Sequence, residues 1–312
     1  MPDSPADAVR ERAPRVWTLW TASRPAQLLL VVAVYALGVA IAAARGASPA
    51  ESSVAAGLLS LLFVAAAIHY ANEYADHDTD ALTERTPFSG GSGALQATGL
   101  PRELVGRAAA VALTVGLAAA ALFVSVGLLS TTAGGLLAVS ALVGIEYSLP
   151  PLSFARRGLG ELVNALLGGL ALPCYGAAVV GGLDRAVALA VLPFALLVFV
   201  NLLETQWPDR HADADVGKDT LAVRWPPRRL RAAYALVTVA AFAVLLALTR
   251  DIAAATPDVV PWAVTLSTLP AMPLFAWGAV RYTRRETPYP AVVGMVVAAV
   301  LQLLAWTFVA VG

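Results

Sequence analysis

The chain is 312 residues long, 59% of them hydrophobic and only 13% charged, with acidic and basic side chains in equal number and a formal net charge of zero. Such a composition excludes an ordinary soluble domain with a polar shell. Its single cysteine, Cys174, excludes an intramolecular disulfide and a thiolate metal cluster, and reads as a small buried hydrophobe.

Residues 1–24 read as a polar cytoplasmic tail carrying Arg10, Arg12, Arg15 and Arg24, with no cleavage pattern behind the first apolar run. Stretches long enough to cross a hydrocarbon core of about 30 Å then recur to the end of the chain. They predict an all-α integral membrane protein with about nine spans, over 25–44, 54–71, 104–128, 132–147, 160–180, 186–203, 232–249, 259–280 and 291–311. The fourth is the shortest. Counted from a cytoplasmic N-terminus, only Arg45, Arg185 and Arg250 fall in outer loops, and every other basic residue lies on the inner side. This positive-inside bias puts the C-terminus outside the cell membrane.

The polar segments after the second and sixth spans each carry aspartates four apart, Asp76 with Asp80 and Asp209 with Asp213. The same offset separates the first members and the second members, so both pairs face one side. The pattern reads as two four-helix units plus a ninth helix, making 25–312 a single transmembrane domain. Residues four apart share a helix face, and Asn72 joins the first pair at one more such step. Either pair alone reads equally well as a solvated loop. Two at matched helix mouths favour a shared site, because clustered carboxylates repel each other unless a cation lies between them. Oxygen-only donors suit a hard ion such as Mg²⁺, which also takes phosphate oxygens and water. A diphosphate between the pairs, with its organic tail among the apolar helices, follows from that chemistry.

Lys218 is the only lysine and lies five residues beyond Asp213; with Arg85 and Arg224 it is a candidate phosphate ligand. Arg228, Arg229 and Arg231 need no role beyond orienting the adjacent span. The stretch SGGSG, residues 89–93, can turn backbone N–H groups toward an anion. His69, His77 and His211 lack zinc-site spacing, and the latter two read as polar rim residues.

NEYADHDTD at residues 72–80 resembles the N-x-x-x-D-x-x-x-D motif of the UbiA superfamily of intramembrane prenyltransferases. DRHADADVGKDTLAVR, from Asp209, resembles that superfamily's second D-x-x-x-D motif. EYSLPPLSFARRGLGEL, from Glu146, is similar to its Y-S-x-P-P-L segment, and SRP at 23–25 to the approach to its first helix. The resemblance implies a helical bundle with a central cavity open to the cytoplasm, and Mg²⁺ and diphosphate binding by Asn72, Asp76, Asp80, Asp209 and Asp213. It further implies phosphate contacts from Arg85, Lys218, Tyr147 and Arg24. Two positions depart from the pattern: Glu73 stands where members often have Asp, and Pro208 where they often have a basic residue.

The implied activity is Mg²⁺-dependent transfer of a polyprenyl group from a prenyl diphosphate to a small aromatic acceptor at the bilayer, with no nucleic-acid partner. RTPFSGGSGAL, from Arg85, is similar to sequences acting on dihydroxynaphthoate in menaquinone synthesis. Hydroxybenzoate, a glycerol-phosphate lipid, or cyclisation without an acceptor fits the same scaffold. A transporter is the competing class, but transport sites lie near the bilayer midplane on broken helices, whereas these acids sit at its inner boundary.

Overall fold

The computed structural model describes residues 5–82, 90–249 and 259–312, and these contain helices and no strand. Among the described residues, eight helices are long and apolar enough to cross a membrane, and the protein is a multi-pass membrane protein. The expected fourth span forms a helix that falls just outside those eight. At 18 residues it is the shortest of the set, and its polar end, Glu146–Tyr147–Ser148, uses up part of its length.

The segment expected as a tail is helical instead: α1 spans Pro5–Arg12 and α2 Pro14–Ala22. α2 leads into α3 (Pro25–Ala44) through Arg24, whose left-handed φ of 54° makes the break. Pro25 then opens α3 where a missing N–H costs nothing. α4 (Glu51–Ala75) has 25 residues and so rises about 37 Å. That exceeds the hydrocarbon thickness, so the helix is long enough to cross and still extend its polar last turn, with Asn72 and Glu73. The helix breaks at Asp76 and resumes as α5 (His77–Asp80).

α6 (Ala94–Thr98) and α7 (Glu103–Ser125) follow, then α8 (Thr131–Ser148), capped by the Ser130 hydroxyl, which accepts from the Ala133 N–H. The next span is composite. α9 (Gly160–Asn164) widens into a π-helical stretch, Ala165–Ala171, before α10 (Leu172–Val179). Pro173 lacks the donor that a regular turn needs there, which accounts for the wider winding. α11 (Arg185–Thr205) is capped by Asp184 and is followed by the short α12 (Arg210–Asp215) and α13 (Leu221–Arg224). α14 (Pro227–Thr249) comes next. α15 (Trp262–Thr268) and α16 (Met272–Arg281) form one span kinked at Leu269–Ala271, and α17 (Tyr289–Val311) closes the bundle.

α4 lies along α7, α11 along α14, and α3 packs on both α10 and α17. Lipid and a helix surface are equally apolar, so such contacts depend on close fit. At the α3–α10 crossing a Cβ on Gly38 would stand 1.8 Å from the Pro173 carbonyl oxygen, and one on Gly176 2.2 Å from that of Tyr35. Gly176→Leu is therefore expected to push the two helices apart and destabilise the protein by at least about 3 kcal/mol, the upper end of ordinary overpacking. The check is thermal unfolding in detergent; a midpoint equal to wild type would contradict the crossing as described. An apolar groove of about 560 Å³ runs between α8 and the π-helical stretch, lined by Leu136, Val143, Leu166 and Cys174 among others. Exposed Val139 and Leu166 place it on the outward face of the bundle rather than over the acidic segments.

Candidate active site

The two acidic segments meet where α5 packs against α12. On the first, the Asn72 amide donates to Asp76 Oδ2 at 2.7 Å and to the Ser148 hydroxyl at 3.2 Å, which ties α4 to the end of α8. The bend at Asp76 keeps two helical bonds, Asp76 N–H to the Asn72 carbonyl at 2.9 Å and Asp80 N–H to the Asp76 carbonyl at 2.8 Å. Asp76 and Asp80 thus stay one turn apart. On the second segment the equivalent bond runs from Asp213 N–H to the Asp209 carbonyl, also at 2.8 Å.

Lys218 joins the halves. Its Nζ lies 3.2 Å from Asp76 Oδ2 and 3.5 Å from Asp213 Oδ1. Burial alone would lower its pKa, but the Asp76 and Asp213 carboxylates raise it further than burial lowers it, and the ammonium stays charged. The acids respond in the opposite sense. Burial first, then the Asp76 and Glu73 charges, push Asp80 up to about 7. Burial and the Asp213 charge push Asp209 up to about 7 as well. Asp213, only 1% exposed, is raised chiefly by burial, with Lys218 pulling the other way.

Backbone from the Gly-rich stretch lies between the pairs. The Gly90 backbone N–H lies close enough to the Asp209 carboxylate to favour its charged form. Gly91, at φ 64°, sits so close to Asp80 that a Cβ there would stand 2.0 Å from Oδ2. Glycine takes that backbone conformation without strain and leaves the Asp80 carboxylate in place.

Of the other residues singled out by sequence, Tyr147 is half-buried with its ring against Gly160, and its phenol contributes to the field at Lys218. Arg24 is turned to Glu73, with Nε to Oε1 at 3.0 Å. Arg224 is not brought to the cluster: it is exposed, pairs with Asp219 and lies over Gly158. Arg85 lies outside the described residues. His69 Nδ1 is 2.7 Å from the Ser23 carbonyl oxygen, a packing contact. Arg229 stacks on Trp225 and Arg231 reaches Thr283, as expected of a rim. At Pro208 the turn is held by Arg210, whose Nη1 donates to the Trp207 carbonyl at 2.7 Å while its guanidinium covers the Trp207 ring.

Three buried acids escaped a reading that looked only for pairs. Glu73 binds Arg24 and Ser92; Glu161 accepts from the Leu221 N–H at 2.8 Å; Glu204 accepts from the Ala291 N–H at 3.0 Å. Glu161 and Glu204 were visible as lone carboxylates beside apolar runs, where an ionisable group has to find partners, and Glu73 only as a departure from the family pattern.

The donors suit a hard divalent cation. Asp209 Oδ1 is buried without a hydrogen-bond partner, and Asp213 Oδ1 has only the ammonium of Lys218. Among the described residues no three His, Cys, Asp or Glu side chains already converge on one point. Lys218 lies between Asp76 and Asp213 and offsets part of their charge.

This is a membrane-embedded helical bundle whose polar focus is two carboxylate pairs gathered at one end. The chain belongs to the UbiA prenyltransferase family, which matches residues 29–288, and it is accordingly a prenyltransferase. Its fold is shared with a UbiA homolog from Archaeoglobus fulgidus solved with GPP and Mg²⁺, 20% identical, TM-score 0.64, over 95% of this chain and 100% of that one. It is shared also with a digeranylgeranylglyceryl phosphate synthase, 14% identical, TM-score 0.64, over 95% and 99% of the two chains. A UbiA homolog from Aeropyrum pernix K1 matches at 16% identity and TM-score 0.63, over 87% and 94%. No curated protein matches the chain.

Proposed function

We propose that this protein transfers a polyprenyl group from a prenyl diphosphate to a small aromatic acceptor of the dihydroxynaphthoate or hydroxybenzoate type, at the cytoplasmic boundary of the cell membrane. The observation that carries the reading is the meeting of both acidic pairs with the lone lysine at one end of an apolar bundle. Asn72, Asp76, Asp80, Asp209 and Asp213 would hold Mg²⁺, in keeping with the Mg²⁺ bound to the Archaeoglobus homolog. Bound there, the ion supplies positive charge against the diphosphate.

The chain's own groups then have distinct tasks. Lys218, kept protonated by its two carboxylates, is the mobile cation that turns to the phosphate oxygens and stabilises charge on the departing diphosphate. Arg85 and Tyr147 are further phosphate contacts. Arg24, committed to Glu73, acts mainly by fixing the start of α3. Arg224, paired with Asp219 on the surface, is left with no direct role. The apolar bundle shields the allylic cation from water until the acceptor attacks it and gives up a proton, with diphosphate as the leaving group.

The test is incubation of the detergent-solubilised protein with geranylgeranyl diphosphate and a panel of acceptors, with Mg²⁺ or EDTA, followed by mass spectrometry. A prenylated aromatic product formed only with Mg²⁺ is the expected result. The likeness to digeranylgeranylglyceryl phosphate synthase makes a glycerol-phosphate acceptor the second arm. Product there alone would overturn the aromatic reading. A hydrocarbon product with no acceptor would identify a cyclase instead.

A further inference from the structure

Glu73 is the carboxylate at the site that the paired-aspartate pattern leaves unexplained. It sits on α4 just ahead of Asp76 and is 2% exposed. Its Oε1 accepts from Arg24 Nε at 3.0 Å, from Arg24 Nη2 at 2.5 Å and from the Ser92 N–H at 2.9 Å. Its Oε2 accepts from the Ser92 hydroxyl at 2.6 Å, and that hydroxyl in turn accepts from the Ala94 N–H at the start of α6. The backbone that Glu73 holds at Ser92 is the same backbone that touches both acidic pairs, through Gly90 N–H on Asp209 and Gly91 against Asp80.

We propose that Glu73 is a positioning residue of the diphosphate site: by fixing Ser92 from α4 it seats Gly90–Gly91 between Asp80 and Asp209 and sets the separation of the two acidic pairs. A helix-borne carboxylate is suited to this because its own place is fixed by the bundle. Oε1 faces donors only, and Oε2 faces a hydroxyl that can also accept. An amide at this position removes the charge that holds Arg24 and Ser92 N–H and reverses the Ser92 hydroxyl from donor to acceptor, which weakens both contacts. A different reading makes the Arg24–Glu73 pair simple glue between α3 and α4. Glue predicts a change in stability alone, whereas positioning predicts a change at Gly90–Gly91 and in substrate binding.

The experiment compares wild type, Glu73→Gln, Ser92→Ala and the double variant. Ser92→Ala removes the hydroxyl contact and leaves the Arg24–Glu73 pair in place, so it stays informative if Glu73→Gln folds poorly. Hydrogen exchange is measured in detergent without substrate. Exchange at Gly90–Ser92 is expected to speed up about tenfold in each single variant, with α7 unchanged. The kinetic arm rests on the prenyl-diphosphate reading. KM for the prenyl diphosphate is expected to rise about tenfold, as for other residues that orient a metal site. Its kcat should change by less than about threefold, and the double variant should add little, because both residues act through one contact. Wild-type exchange at Gly90–Ser92 with only a lowered thermal midpoint would overturn the proposal. Were wild type to turn over no prenyl diphosphate, the functional reading would fail while the exchange arm still decided the role of Glu73.

Discussion

Asp209→Asn is expected to lower turnover at least about 100-fold, since even residues that only orient metal ligands cost 10–100-fold when removed. The same variant is expected to raise the thermal midpoint of the metal-free protein near neutral pH. Asp209 is pushed up from 3.8 to about 7, by burial first and by the Asp213 charge second, and its Oδ1 has no partner. A carboxyl group whose pKa is higher folded than unfolded costs no stability below the unfolded value. It costs progressively more as pH rises toward the folded value. The metal-free protein should therefore lose stability between pH 3.8 and about 7, with Asp80 contributing in the same sense. The Asn variant keeps an acceptor for the Gly90 N–H and removes the charge, so its midpoint should fall less steeply across that window. Thermal scans in EDTA at several pH values check this. Identical slopes would show that the buried charge is not the cause, and wild-type turnover by the variant would remove Asp209 from the metal site. Asp76→Asn and Asp213→Asn should also abolish turnover, but each deprives Lys218 of a charged partner and should lower the midpoint.

The opposite responses of activity and stability explain how much of this site could be read in the sequence. Asp76, Asp80, Asp209 and Asp213 stand out because four acids at helix mouths are costly without a function, and periodicity alone places each pair on one face. The spans were legible for a similarly direct reason: a run of about 20 apolar residues has few alternatives to crossing the bilayer. α3 occupies the run expected at 25–44, and α17 begins two residues before the expected 291.

What was hidden depends on contacts between distant residues. Nothing local tells that Arg24 turns to Glu73, that Arg224 turns away to Asp219, or that Ser148 accepts from Asn72. The break at Asp76 and the π-helical widening before Pro173 were equally invisible, because four-residue spacing reads the first as continuous helix and an apolar run reads the second so. The polar content of residues 5–22 gives no sign that they form two helices, the second of which buries Thr18 and Ala22.

Lys218→Met carries the most informative pair of effects. Turnover is expected to fall about 100-fold or more, the range seen when one group that stabilises developing charge is removed. The metal-free protein should also be less stable. Removing one partner of a buried ion pair leaves the other charge unbalanced, at a cost of about 3 kcal/mol. The Lys218 side chain is only 14% exposed, so solvent does little to screen that loss. The stabilisation conferred by Mg²⁺ alone should change in the other direction. In wild type the ammonium already lies between Asp76 and Asp213, and an incoming cation has to displace it. With methionine at 218 the two carboxylates have no counter-charge between them and should bind Mg²⁺ more tightly. Each tenfold gain in affinity adds about 1.4 kcal/mol of stabilisation at saturating ion. Thermal midpoints of both proteins, titrated with Mg²⁺ in the absence of any diphosphate, measure the difference directly. A larger Mg²⁺-induced rise in Lys218→Met than in wild type, lost again when Asp76→Asn is added, would establish that the lysine stands in for the metal until diphosphate arrives. An equal or smaller rise would mean that Lys218 and the cation do not compete for the same carboxylates.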